Sequence, residues 1–98
     1  MICHVVLFGI RADVPQTAID ERIAALQGLT AIIPEIRSMT VARDEIGSER
    51  SATFGLISTF DTLEALRTYQ QHPQHQAVAA QTFALSEWVK AWDFTTDA

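Results

Sequence analysis

Residues 2–10 alternate without leaving either face polar. Ile2, Val6 and Phe8, together with His4, point one way, while Cys3, Val5 and Leu7 point the other. A strand that is apolar on both faces has to be covered on two sides. The turn-forming run Arg11-Ala12-Asp13-Val14-Pro15 follows, and Thr17-x-x-Asp20 resembles a capping box that opens a helix. Ile19, Ile23, Leu26 and Leu29 then recur at spacings of 4, 3 and 3, which predicts one apolar helix face over about residues 16–29. Pro34 closes that region, because the residue before a proline is steered away from helical geometry.

Residues 37–43 carry a weaker strand pattern, with Met39 and Val41 on one face. Residues 44–50 are polar, contain Gly47 and read as an exposed loop. In residues 53–60, Phe54, Leu56 and Phe60 share one face, and Gly55 and Ile57 take the other. Asp61-x-x-Glu64 is a second capping signature, with Asp61 as the expected cap of a helix that carries Leu63, Leu66 and Tyr69 on one side. His72-Pro73 interrupts this helix, and Pro73 suits the first position of the next one, about residues 73–85, where His75, Val78 or Ala79, and Thr82 form one stripe. Residues 87–94 set Trp88, Lys90, Trp92 and Phe94 against Val89, Ala91 and Asp93, as a last strand would.

The resulting order is β-α-β-β-α-β, the split arrangement of an α+β, ferredoxin-like subunit with an antiparallel sheet, expected as a single domain over residues 1–98. Helices cover only one face of such a sheet. The other, with Cys3, Val5, Leu7 and Ile57, would stay exposed and apolar, which marks an interface. A homodimer with two sheets packed face to face is the expected assembly.

Composition narrows the partners. A chain of 98 residues has one small core, and burial in a second copy would add to its stability. With 7 Lys+Arg against 12 Asp+Glu the formal charge is −5, so the basic stripe required for nucleic acid is missing, and an anionic membrane surface is a poor match. The apolar run 2–10 is far shorter than the roughly 20 residues of a membrane span and has no signal cleavage pattern, so a cytoplasmic protein is expected. Cys3 is the single cysteine, with no basic neighbour to activate it, and reads as a small buried hydrophobe.

Several of these residues together resemble the stress-responsive α/β-barrel (Dabb) domain family. The resemblance rests on Ile2-Cys3-His4-Val5-Val6-Leu7-Phe8, Ile33-Pro34-Glu35-Ile36, Tyr69-x-x-His72-Pro73-x-His75 and the terminal Trp92-Asp93-Phe94, and spans about residues 1–95. It implies a ferredoxin-like subunit that forms a dimeric α+β barrel. Most bacterial members have no assigned role. Plant members include stress-induced and antifungal proteins and a cyclase that folds a linear polyketide into an aromatic acid without a cofactor. Functional residues of that cyclase correspond to His4, Tyr69 and His75, the last as base. A further strand histidine of the cyclase falls at Phe54, a departure from the pattern.

The chemistry the residues themselves allow is modest. Tyr69 and His75 converge if both helix stripes face the sheet, and a half-buried imidazole beside a phenol suits proton abstraction α to a carbonyl. The same pair also reads as a structural polar network. His72 is a plausible cap and, with His75, has helical spacing for chelation, but no further His or Cys spacing completes a metal site, so neither metal nor cofactor is expected. The expected site is a small apolar cavity between sheet and helices. Val6, Phe8, Phe54, Leu66 and His72 would contact a small apolar or aromatic ligand, and His4, Tyr69 and His75 would supply polarity or catalysis. A homodimeric small-molecule binding protein is the leading expectation. A cofactor-free cyclase or lyase with His75 as base, a cofactor-independent monooxygenase by fold analogy, and a purely structural oligomer are the alternatives.

Overall fold

The computed structural model describes residues 1–97; the last residue of the expected domain lies outside that description. The elements are β1 (Ile2–Ile10), α1 (Gln16–Gly28) with a 3₁₀ turn Leu29–Ala31, β2 (Ser38–Arg43), β3 (Phe54–Phe60), α2 (Leu63–Gln71), α3 (Pro73–Ala84) and β4 (Ser86–Thr95). The sheet order is β2-β3-β1-β4, with every neighbouring pair antiparallel. This is the ferredoxin-like α+β topology. β1 sits inside the sheet, paired along both edges, with β3 on one side and β4 on the other. No helix among the described residues is long and apolar enough to cross a membrane.

The helices cover the face that carries His4, Val6 and Phe8. Phe54, Leu56 and Phe60 of β3 are buried there against Ile19, Leu26 and Leu29 of the first helical segment. Two helix starts differ from the expected ones. α1 begins directly after Pro15, whose carbonyl accepts from the Ala18 and Ile19 amides, and has no side-chain cap; Thr17 lies inside the helix. α2 is capped by Thr62, not Asp61. Thr62 is the last extended residue, and its Oγ1 accepts from the Ala65 N–H at 3.1 Å, while Asp61 pairs with exposed Arg37. On α2, Leu66 and Tyr69 are buried but Leu63, in the first turn, is exposed.

Pro73 forces His72 into extended geometry (φ −64°, ψ 132°), and this separates α2 from α3. His72 Nδ1 then accepts from the Gln74 N–H at 3.1 Å and caps α3. The two helices therefore meet at an angle set by one residue, which places the end of α2 beside the first turn of α3.

The opposite sheet face has no helix over it. Leu7, Ile57 and Trp92 are 43%, 48% and 63% exposed on it. Cys3, on the same face, is the small buried hydrophobe its surroundings in the sequence suggest: it lies between its register partners Thr59 and Phe94, and the Phe94 ring is stacked on Trp92. Trp88 lies flat over Gly9, where a Cβ would come within 2.1 Å of the indole Cε2. Glycine at that position lets the ring reach the backbone.

Candidate functional site

A cavity of about 170 Å³ lies between α2–α3 and the β1–β4 half of the sheet. Alternation along β1 aims His4, Val6 and Phe8 into it, and alternation along β4 aims Val89 and Ala91. From α3, His75, Ala79 and Phe83 reach it at a four-residue spacing, one helix face. That stripe is shifted from the expected one, since Thr82 turns into the core and donates to the Val78 carbonyl at 2.9 Å.

The polar groups cluster at the α2–α3 junction. The Tyr69 ring stands between two imidazoles, 4.4 Å from the His75 centroid and 6.3 Å from that of His4, the latter edge-on. Tyr69 is 1% exposed, and its hydroxyl has no hydrogen bond to any described residue; because no buried polar side-chain atom is left unsatisfied, the oxygen opens onto the cavity. Burial pushes the phenol up to about 12, so at neutral pH it is a donor.

His75 is held by its other nitrogen. Nδ1 lies 3.1 Å from the Gln70 carbonyl, which can only accept, so Nδ1 carries the hydrogen and Nε2 keeps its lone pair. Burial lowers the His75 pKa, the Gln70 carbonyl opposes that, and repulsion from His4 and His72 adds to the lowering. The neutral, basic imidazole is therefore favoured.

His4 is 5% exposed and donates Nδ1–H to the Asp93 carboxylate, its register partner on β4. The carboxylate fixes the ring orientation and the tautomer, and Nε2 is the nitrogen left over. Among the described residues no three His, Cys, Asp or Glu side chains come together to hold a metal.

Of the residues expected at the site, the cavity brings together His4, Tyr69, His75, Val6 and Phe8. Phe54, Leu66 and His72 lie outside its wall. Phe54 is stacked behind Phe8 at 4.7 Å, Leu66 is buried one helical turn before Tyr69, and the His72 ring is engaged as a cap. The sequence reading missed Asp93, Phe83 and the Gln70 carbonyl. Asp93 carried a signal, as a carboxylate in the midst of the strand on the side of Val89 and Ala91, but its partner depended on register.

The stress responsive A/B barrel domain matches the chain over residues 2–96. The chain belongs to this family. A dimeric ferredoxin-like protein of unknown function from Thermobifida fusca superposes with a TM-score of 0.88 at 27% identity, covering 97% of this chain and 90% of that one. A dimeric protein of unknown function and ferredoxin-like fold from Bacteroides fragilis gives 0.82 at 27%, covering 97% and 95%. The hydroxynitrile lyase of Passiflora edulis gives 0.88 at 20% identity, covering 99% and 94%; at that identity the likeness is one of fold. No functionally curated protein matches the sequence. Membership in the A/B barrel family fits the split sheet and the one-sided helical layer, and leaves the cavity's role to its own chemistry.

Proposed function

We propose that this A/B barrel domain is a homodimer whose subunits each bind a small, mostly apolar molecule carrying an oxygen acceptor. The observation that carries the reading is the Tyr69 hydroxyl, without a hydrogen-bond partner among the described residues, at the wall of an apolar cavity. A ligand carbonyl there would accept the phenolic hydrogen and satisfy a donor that the fold leaves open. Dimerisation is supported by exposed Leu7, Ile57 and Trp92, by a hollow of about 160 Å³ between Val5, Leu7 and Trp92 that a facing side chain would fill, and by the dimeric state of the Thermobifida and Bacteroides neighbours. The test is side-chain NMR of His75, His4 and Tyr69 during titration with small ketones. Concerted shifts of all three support the reading, and a panel that moves none of them removes it.

His75 favours a second reading, a cofactor-free lyase or cyclase. Its Nε2, kept unprotonated by burial and left with its lone pair free by the Nδ1 tether to Gln70, would take a proton from carbon α to a carbonyl held by Tyr69. His4, braced by Asp93, would offer a second polar contact to the same substrate. Exchange of the α-hydrogens of a β-keto ester in D₂O tests this directly. Exchange that His75→Ala abolishes supports an enzyme, and exchange no faster than buffer supports a binding protein.

A further inference from the structure

Phe83 is out of place for a core aromatic. It sits in the last turn of α3, 52% exposed, with its ring tilted 32° and 6.5 Å from Phe8, and exposed Val89 belongs to the same wall. The ring thus forms the outer side of the cavity. Two further properties describe what the cavity would hold. Its lining contains no Arg or Lys, and the one imidazole with a carboxylate beside it, His4, is already matched by Asp93. An anion entering there would lose its hydration without gaining a fixed positive partner. The volume, about 170 Å³, is close to the roughly 150 Å³ of an engineered apolar cavity that takes up benzene.

Resting on the binding reading above, we infer that Phe83 is the specificity-determining residue of the cavity: its ring closes the mouth over an uncharged carbonyl compound with a single aromatic ring and excludes larger ones. The carbonyl end lies toward Tyr69 and the ring end toward Phe8 and Phe83. Aromatic contact with Phe83 then adds to affinity only for a ligand short enough to lie beneath it.

The experiment titrates the wild type, Phe83→Ala and Phe83→Leu with acetophenone, 2-acetylnaphthalene and benzoate, and reads Kd from Tyr69 and His75 side-chain shifts. For the wild type, acetophenone is expected to bind at least about tenfold more tightly than either other compound, a difference of about 1.4 kcal/mol. Phe83→Ala is expected to weaken acetophenone by roughly 3- to 10-fold, the worth of one aromatic contact, and to strengthen 2-acetylnaphthalene. Phe83→Leu should fall between. The helix position is exposed and Ala is a good helix former, so the fold is retained; an unchanged amide spectrum away from α3 checks this. Wild type that binds both ketones with a ratio untouched by either variant overturns the role of Phe83. Benzoate bound as tightly as acetophenone overturns the selection of uncharged ligands. Wild type that binds none of the three overturns the inference together with the binding reading beneath it.

Discussion

Tyr69 is the only tyrosine in the chain, which makes its ionisation readable without assignment. Burial moves its phenol from 10.0 to about 12. The folded state therefore holds the proton more tightly than the unfolded state, so this contribution to stability is fully present below pH 10 and is lost as the pH rises through about 12. At about 1.4 kcal/mol per unit, the contribution is about 3 kcal/mol, a visible part of the roughly 5–15 kcal/mol typical of a domain. Two measurements check it: ultraviolet tyrosinate absorbance against pH, and urea unfolding at successive pH values for wild type and Tyr69→Phe. Tyrosinate should appear well above pH 10, and stability should fall between pH 10 and 12 in the wild type beyond any fall in Tyr69→Phe. At neutral pH the variant should match the wild type within about 1 kcal/mol, since no protein hydrogen bond is lost. A tyrosinate midpoint near 10 in the folded protein, with parallel stability curves for the two proteins, would refute the reasoning. The hydroxyl would then be open to solvent, and the cavity would lose its sheltered donor.

Three further outcomes are expected. Ile57→Lys places a charge on the uncovered sheet face at a position already exposed in the single chain, so sedimentation should shift from twice the chain mass to 10.9 kDa without loss of fold. Asp93→Ala leaves the Nδ1–H of buried His4 without its acceptor; long-range ¹⁵N–¹H NMR should show the Nδ1–H tautomer giving way, and unfolding should report a cost of about 1–3 kcal/mol. Gly9→Ala drives a methyl into the Trp88 indole, so denaturant midpoints should fall by the equivalent of about 1–3 kcal/mol while tryptophan emission shifts toward that of exposed indole.

The strands and helices were legible because their signals are local. Period-two alternation assigned the faces of β1, β3 and β4 correctly, down to Trp88, Lys90, Trp92 and Phe94 lying opposite Val89, Ala91 and Asp93. Pro73 marked the break between the two helices and the start of α3. Helix starts were less secure. Asp61 and Thr62 are both competent caps, and the choice rests on which residue is the last in extended geometry as the chain leaves β3. The pairing of Tyr69 with His75 was also within reach, because six residues across a proline junction bring the end of one helix to the start of the next.

What the sequence determined by itself is the split β-α-β-β-α-β order, the two-sided apolar alternation of β1, the alternation that set Phe54 and Leu56 opposite Ile57, and the Pro73 break that brings Tyr69 near His75. Each follows from a period or a backbone restriction carried by the residues themselves; His4 joined Tyr69 and His75 through the family resemblance. Tertiary structure alone decided which residues stand across from one another. Register placed Asp93 beside His4 and Phe94 beside Cys3, and the packing of the helices on the sheet set Phe83 in the cavity wall while leaving Phe54 and Leu66 behind it. Those pairings depend on how far each strand slides against its neighbour and how the helices settle on the sheet, quantities summed over the whole chain that no single stretch of it encodes.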